Sequence, residues 1–141
     1  MGENELYKIA SHFREAIVAV KTNGEFDFRD RMRRFPNGCC DDTCDLLGFY
    51  LWKKYRIHTR QRNGYYETEM TNHAWLITDD QIIIDITGDQ FYGAWKSVYV
   101  GQEVGNYKKL SRIITHDNFD IRNQSRLWDD YNIILKYLKK V

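Results

Sequence analysis

Two short apolar runs separated by three polar residues constrain the fold of this chain more than any other feature. Residues 72–77 and 81–87 are largely apolar, the second with four isoleucines, and flank a polar connection at residues 78–80. Apolar runs of this length beside a turn signal are typical of paired strands. The sequence therefore predicts an antiparallel hairpin, because strands joined by so short a connection pair directly.

The length of the connection decides which side chains of the hairpin share a face. Residues paired across two antiparallel strands point to the same side, and their numbers have a constant sum. A three-residue connection pairs Ile77 with Gln81 and places His73 directly opposite Asp85, whereas a two-residue turn sends His73 and Asp85 to opposite faces. With three residues, the other face becomes apolar, carrying Ala74, Leu76, Ile82, Ile84 and Ile86. We therefore predict an odd-length loop or a bulge.

Helical periodicity lies on both sides of the hairpin. Residues 3–20 carry apolar side chains three or four positions apart, and so do the segments that start at Cys40 and near Asn123 or Ser125. Helices before and after a small antiparallel sheet form an α+β layout. The chain has 141 residues, so we predict a single α+β domain over residues 1–141.

The segments between these elements carry weaker patterns. Residues 57–60 are compatible with a strand, and residues 97–100 with another. Asn63-Gly64 is a turn signal inside the polar, tyrosine-rich stretch 61–71, which we therefore predict to be a loop or irregular hairpin over the site. Residues 101–122 show no clear period, and no element is predicted there.

Composition argues against two classes of partner. The chain has 21 basic and 20 acidic residues and a net charge of +1, which gives no long-range field to attract nucleic acid. No run approaches the roughly 20 apolar residues of a membrane span. The first five residues are acidic where a secretory signal is basic and then apolar, so we expect a cytoplasmic protein with no membrane partner.

The three cysteines lie within six positions, at Cys39, Cys40 and Cys44. An odd number this close together does not make a disulfide framework, which favours a reducing compartment. Adjacent cysteines with a third in the helix interior, even with His73 added, do not match the spaced ligand pairs of zinc sites. We therefore expect neither a metal nor another cofactor.

Cys40 is the best-placed nucleophile of the three cysteines. Pro36 holds off the helix until after Gly38, so Cys40 falls at the helix start. The N–H groups at a helix N-terminus stabilise a thiolate, and the backbone N–H of Cys40 could serve an oxyanion hole. Asp41 and Asp42 act in the opposite direction, because negative charge beside a thiol raises its pKa.

The other two cysteines have weaker claims to this role. Cys39 precedes the helix and is the main rival nucleophile. Cys44 lies on the apolar stripe of the helix, where a cysteine behaves as a small hydrophobic residue.

Asp85 is the residue that a purely structural interpretation explains least well. It stands between Ile84 and Ile86, and a carboxylate within a buried strand requires a partner. His73 on the neighbouring strand can be that partner. A thiol, an imidazole and a carboxylate are the set that a cysteine nucleophile uses, so we predict a site formed by Cys40, His73 and Asp85.

Three short motifs carry these residues in order: Gly38-Cys39-Cys40 with Cys44 and Leu47 beyond it, His73-Ala74-Trp75, and Asp85-Ile86-Thr87. Over residues 35–91, they resemble the nucleophile helix and the two following strands of the papain-like and transglutaminase-like cysteine enzymes. In that family the strands carry histidine-x-tryptophan and aspartate-x-threonine. The chain also resembles small bacterial proteins of this type.

This resemblance implies a papain-like/transglutaminase-like core, in which a nucleophile helix packs on a small antiparallel sheet. It implies that Cys40 is the nucleophile, His73 the base and Asp85 the residue that orients the imidazole. The implied reaction is attack on an amide carbonyl of a protein or peptide, giving a thioester that water or an amine resolves. Proteases, glutamine deamidases and transglutaminases of the family work in this way.

The chain departs from the family at the oxyanion hole. No glutamine lies just upstream of Cys40; Asn37 and the more distant Gln90 are the candidates for this role. Trp75 is a candidate for a substrate groove, although a place in the core is the favoured role for this residue. The incomplete oxyanion hole and the acid pair that follows Cys40 support a second hypothesis, a non-catalytic binding module on the same scaffold.

Overall fold

Three α-helices and five β-strands form the fold in a computed structural model that describes residues 1–139. Two helices precede the strands and one follows them, so the predicted α+β layout is confirmed. The elements are α1 (Glu3–Thr22), α2 (Cys40–Tyr55), β1 (Thr59–Tyr66), β2 (Thr71–Thr78), β3 (Ile83–Asp85), β4 (Tyr99–Gly101), β5 (Ser111–Asp117) and α3 (Ser125–Leu138).

The helices begin and end where the local sequence favours it. Asp41 and Asp42 lie in the first turn of α2, where negative charge suits the helix dipole. α2 ends at Arg56, which takes a left-handed conformation with φ 57° and donates its N–H to carbonyls of the last turn. The Gln124 side chain caps α3 by accepting from two backbone N–H groups. All three predicted helices are confirmed.

The helices of residues 1–139 fall short of what a membrane span requires. None of them combines the length and the apolar character that crossing a bilayer requires.

The strands form one antiparallel sheet in the order β4-β3-β2-β1-β5. One face packs against the helices in a large apolar core that includes Phe13, Leu47, Leu76, Ile84 and Ile134. The other face carries a smaller cluster, which we call the aromatic cluster: Tyr66, Trp75, Ile83, Phe91, Trp95, Tyr107 and Leu110. Because side chains alternate along a strand, residues 73 and 85 lie on the aromatic side.

The β2–β3 hairpin has the predicted odd-length loop, one residue later than expected. The two strands pair through Leu76 with Ile84 and Ile77 with Ile83, which leaves residues 79–81 in the loop. The aliphatic face predicted from the three-residue register is confirmed, since its members lie in or against the large apolar core.

The later loop moves His73 out of direct opposition to Asp85. Thr78 stays in the strand because its N–H donates to the Ile82 carbonyl, and Gln81 closes the loop in a left-handed conformation with φ 66°. The predicted direct pairing of His73 with Asp85 is therefore wrong. The prediction that they share a face is confirmed, because an odd loop length preserves the alternation.

β1 runs through the segment in which the sequence predicts a turn. The strand continues to Tyr66 and pairs with β2, so residues 61–71 contain the end and the turn of a hairpin, one of the two predicted alternatives, and the predicted loop is wrong for most of its length. Gly64 serves close packing instead of a turn: a Cβ there would lie 2.7 Å from Ile113 Cδ1 and 3.2 Å from Trp75 Cη2. The glycine lets the strand lie against the Trp75 ring.

β5 lies within residues 101–122, where the sequence predicts no element. It is an edge strand, and most of its side chains are exposed, so it carries no alternating apolar pattern. β4 overlaps the predicted strand at residues 97–100 but begins at Tyr99.

Candidate active site

His73 and Asp85 form a buried pair on the aromatic side of β2 and β3. His73 Nε2 lies 2.6 Å from Asp85 Oδ2, and the two side chains are 0% and 1% exposed. Asp85 Oδ1 accepts a hydrogen bond from the backbone N–H of Thr87 at 3.0 Å. The carboxylate is therefore held at both oxygens, and the imidazole orientation follows from it.

The pair is electrostatically coupled, and the coupling favours a charged imidazole. Burial by itself would lower the pKa of His73, but the charge and hydrogen bond of Asp85, with a smaller part from Cys40, raise it to about 9. Burial would likewise raise the pKa of Asp85, but the His73 charge and the hydrogen bonds from His73, Tyr107 and Thr87 hold it below its usual value. An imidazolium next to a carboxylate is the form expected at neutral pH.

Cys40 is the first residue of α2 and lies close to His73. Gly38 takes a left-handed conformation with φ 66° just before the helix, as the predicted break requires. The thiol is partly exposed, and it helps to raise the pKa of His73 through a hydrogen bond and its charge. The structure therefore brings together the three side chains that the sequence singles out.

The two acids that follow Cys40 point in different directions. Asp41 Oδ1 accepts from Cys40 Sγ at 3.5 Å. Asp42 is 6% exposed and is held by Arg126 at 3.0 Å and Arg31 at 3.3 Å. Of the pair, Asp41 is the one that contacts the thiol.

The other cysteines are poorly placed as nucleophiles. Cys39 is 1% exposed, and burial raises the pKa of its thiol to about 11 despite a hydrogen bond from Thr43. Burial also raises the pKa of Cys44, which lies in the large apolar core as predicted. A neutral, enclosed thiol is unreactive, which leaves Cys40 as the candidate.

Gln90 contacts the ring nitrogen that Asp85 does not use. Its Nε2 lies 3.0 Å from His73 Nδ1. The short 3-10 turn that carries Gln90 is anchored by Arg14, which forms an ion pair with Asp89 at 2.6 Å and donates to the Ile86 carbonyl at 2.6 Å. A side-chain amide has a donor and an acceptor end, so Gln90 can satisfy Nδ1 in either protonation state of the ring.

Two other predicted site residues do not line an open site. Trp75 is fully buried, with its ring centroid 5.6 Å from that of His73, so its assignment to a substrate groove is wrong. Trp75 packs against the imidazole within the aromatic cluster, where its ring has no route to solvent. Asn37 is exposed, and its side chain makes no hydrogen bond to Cys40, His73 or Asp85.

Tyr107 is a member of the site that the sequence analysis does not identify. Its hydroxyl donates to Asp85 Oδ2 at 2.6 Å, the oxygen that also faces His73. The residue is 5% exposed, and burial, together with the Asp85 charge, raises its pKa far above the usual value, so the O–H stays a donor. Tyr107 lies in a 3-10 helix within the segment that shows no period, so no local pattern indicates it.

Tyr107→Phe is expected to lower the free energy of unfolding by about 1.5–3 kcal/mol, because it removes a hydrogen bond to a charged group. With one donor fewer, Asp85 attracts the His73 proton more strongly, so the pKa of His73 should rise further. Urea denaturation measures the first effect, and an NMR titration of the imidazole measures the second. Tyr99→Phe is the matched control, because its hydroxyl donates to an exposed carbonyl, that of Gln102. A His73 pKa that stays unchanged would contradict this role.

Comparison with known proteins gives no further assignment. Neither a family model, nor a curated protein, nor a solved structure matches the chain. Within residues 1–139, no group of three or more histidine, cysteine, aspartate or glutamate side chains is arranged to hold a metal ion.

Proposed function

We propose that this protein is a cysteine-dependent amide hydrolase or acyltransferase with a papain-like/transglutaminase-like core. Cys40 is the nucleophile, His73 the base and Asp85 the residue that orients the imidazole. The observation that carries the proposal is the buried ion pair, 2.6 Å long, beside the partly exposed thiol at the start of α2. The order of helix, strand and adjacent strand supports the papain-like/transglutaminase-like core.

The chemistry begins from a Cys40 thiolate paired with the His73 imidazolium, in which Nδ1 already carries the proton that the thiol has given up. The thiolate attacks the carbonyl carbon of an amide and forms a C–S bond, while the carbonyl electrons move to oxygen. His73 then returns the proton to the departing amine as the C–N bond breaks, leaving a thioester. Water or a second amine attacks the thioester and gives its proton to His73 as the C–S bond breaks, which restores the thiolate–imidazolium pair. Hydrolysis, deamidation and crosslinking differ in the amide attacked and in the attacking group.

Gln90 has to change its contact during this cycle. In the resting protein its amide lies 3.0 Å from Nδ1, the position that the thiol proton needs. Displacement of Gln90 by substrate frees Nδ1 and leaves an amide N–H close to the reacting carbonyl. Gln90, together with the backbone N–H of Cys40, is therefore the better of the two predicted oxyanion candidates, because Asn37 makes no hydrogen bond to the catalytic residues.

The test is site-resolved alkylation with iodoacetamide at pH 7. We expect Cys40 to react faster than Cys39, Cys44 and a simple thiol, because the imidazolium stabilises its thiolate. His73→Gln should lower the rate at Cys40 by about 10- to 50-fold, because the thiolate fraction at pH 7 falls to the few per cent of a simple thiol. Mass spectrometry of the digested protein gives the rate at each cysteine.

The matched control is His58→Gln, which removes an exposed imidazole that pairs with Asp79 at 2.9 Å. This variant should react at the wild-type rate. Equal and slow labelling of all three cysteines in the wild type would sink the proposal.

A non-catalytic binding module is the second candidate. It is favoured by the resting contacts, in which Asp41 takes the thiol hydrogen bond and Gln90 takes His73 Nδ1. If the site is degenerate, Cys40 should react like a simple thiol, and His73→Gln should not change its rate. The alkylation experiment therefore separates the two candidates.

A further inference from the structure

Arg14 on α1 closes the base of the loop that connects β3 to β4, residues 86–98. Its guanidinium donates to the Ile86 carbonyl at 2.6 Å, where the loop begins, and to the Ser97 carbonyl at 3.1 Å, near its end. It also donates to both carboxylate oxygens of Asp89, at 2.9 Å and 2.6 Å. One side chain therefore holds the loop at both ends and at a point between them.

The loop held by Arg14 carries side chains that surround the imidazole of His73. Gln90 lies 3.0 Å from His73 Nδ1. The rings of Phe91 and Trp95 lie with their centroids 5.1 Å and 5.4 Å from that of His73. The position of this loop therefore sets what the free side of the imidazole contacts.

The same guanidinium also contacts the segment that leads to Cys40. Arg14 Cζ lies 5.1 Å from the centroid of the Phe35 ring, which is buried. Lys21, two turns further along α1, donates to the Phe35 carbonyl at 2.6 Å. The helix α1 therefore touches both the segment before the thiol and the loop that faces the imidazole.

An arginine suits this position because of the geometry of its donors. The guanidinium is a planar fork that fixes the direction of each N–H, so a carboxylate bound through both oxygens is held in orientation as well as in place. The Arg14 side chain is 16% exposed, so solvent screens its ion pair with Asp89 less than it screens a surface pair. The backbone of the Gln90 turn is therefore anchored, and the half-buried Gln90 side chain is the part left to move.

We propose that Arg14 is a positioning residue for the reaction of Cys40. It fixes the backbone of the Gln90 turn, so that the Gln90 amide stays within reach of the carbonyl oxygen after substrate displaces it from His73. The proposal rests on the proposed function, since it concerns the oxyanion role of Gln90. A donor stabilises a developing oxyanion most when it is already in place, because nothing then has to be ordered during the reaction. Without Arg14, the turn loses its anchor and this advantage is lost.

The test compares two reactions of Cys40 in the same set of variants. Acylation by p-nitrophenyl acetate forms a C–S bond, passes through an oxyanion and releases p-nitrophenolate, whereas alkylation by iodoacetamide displaces iodide and forms no oxyanion. Gln90→Ala should slow acylation by about 10²-fold, as the loss of one oxyanion donor does. Arg14→Met should slow it by about tenfold, since an unanchored Gln90 still occupies its place part of the time. Neither change should alter the alkylation rate by more than about twofold, because the thiolate remains.

A double-mutant cycle decides whether Arg14 acts through Gln90. In the Gln90→Ala background, Arg14→Met should have no further effect on the ratio of the acylation rate to the alkylation rate. An arginine that serves only the stability of the fold would change both rates together and leave their ratio as it is in the wild type.

Arg122→Met is the matched control. Arg122 also pairs with an aspartate, Asp120 at 2.7 Å, and its Cζ also lies over a phenylalanine ring, that of Phe49 at 5.5 Å. It makes no contact with the Gln90 turn, so the ratio of the two rates should stay at the wild-type value. Arg14→Lys keeps the charge but not the fork, so its ratio should lie between those of the wild type and Arg14→Met. It also provides the comparison if Arg14→Met fails to fold.

Each outcome bears on one of the two proposals. A wild-type ratio in Arg14→Met or in Gln90→Ala, with Cys40 still reacting faster than a simple thiol, would overturn the positioning role and leave the proposed function intact. An effect of Arg14→Met that persists in full in the Gln90→Ala background would do the same. If wild-type Cys40 reacts slowly with both reagents, the proposed function fails, and the ¹⁵N NMR shift of His73 Nδ1 tests the placement of Gln90 alone. That shift in Arg14→Met should then match the shift in Gln90→Ala, and a wild-type shift overturns the positioning role.

Discussion

Asp85→Asn is expected to lower the rate of Cys40 alkylation at pH 7 by about 10- to 50-fold, toward the rate of a simple thiol, with little change in side-chain shape. The negative charge of Asp85 opposes the burial of His73 and raises the pKa of the imidazole to about 9. Without that charge, burial is no longer offset and the neutral ring is favoured. The thiolate of Cys40 then loses its counter-ion. Alkylation rates measured from pH 5 to pH 10 report the change.

The same variant changes how stability depends on pH. The folded-state pKa of His73 is raised, so its contribution to stability is full below its ordinary value of 6.5 and is lost as the pH rises through about 9. The pKa of Asp85 is lowered, so its contribution is present above its ordinary value and is lost on acidification. Asp85→Asn should therefore make the free energy of unfolding, measured by urea denaturation, depend less on pH on both the alkaline and the acid side.

Asp79→Asn is the matched control for this experiment. It removes a carboxylate that also pairs with a histidine, His58, but at an exposed position, with side chains 55% and 73% exposed. Solvent screens such a pair, so both the alkylation rate and the pH dependence should stay close to wild type. An alkylation rate that Asp85→Asn leaves unchanged would show that the buried pair serves the fold alone.

Arg126→Met is expected to lower the free energy of unfolding by about 3–5 kcal/mol, because it leaves the buried Asp30 carboxylate without its cation and Asp42 with Arg31 alone. Arg126 on α3 lies 2.9 Å from Asp30, 3.0 Å from Asp42 and 3.9 Å from Asp130. Each of these three aspartates is less than a tenth exposed. Methionine preserves the length of the side chain, so the loss reports the charge, and urea denaturation measures it.

Arg29→Met is the control for the loss of an exposed ion pair. Arg29 pairs with Asp27 at 3.6 Å, and both side chains are more than half exposed. The variant should unfold at nearly the wild-type urea concentration. If Arg126→Met is equally mild, the buried carboxylates do not depend on Arg126.

The cluster formed by Arg126, Asp30, Asp42 and Asp130 also holds a proton. Burial, followed by the hydrogen bond and charge of Asp30, raises the pKa of Asp130 to about 9. Asp30 Oδ2 and Asp130 Oδ2 are buried and have no donor, which is the arrangement expected of two carboxylates that share one proton. The unfolded chain releases this proton near its ordinary pKa of 3.8, so the stability it gives is lost as the pH rises from about 4 to about 9.

Asp130→Asn should therefore stabilise the protein at pH 8 by about 0.5–2 kcal/mol, because a permanent N–H replaces the shared proton. The slope of stability against pH should become shallower between these limits.

Local sequence determined the helices and the face relationship within the hairpin. Helical spacing and the Gly38 break are properties of neighbouring residues, so α2 could be predicted to start at Cys40. Whether a short hairpin loop has an odd or an even number of residues is likewise decided locally. For this reason His73 and Asp85 could be placed on one face, although their direct pairing was wrong. Asp85 within an apolar strand required a polar partner, and His73 was the residue of the neighbouring strand that could supply a hydrogen bond.

Tertiary structure decided what depends on residues distant in the chain. Tyr107 reaches Asp85 from a segment without a pattern, and Gly64 is needed because Trp75 and Ile113 pack against it, although its sequence context is that of a turn. Arg126 reaches Asp42 across 84 positions of sequence. Periodicity records burial on an element's own faces, whereas contacts between elements depend on how those faces meet. The sequence therefore indicated the reacting groups, and the fold determined which neighbours tune them.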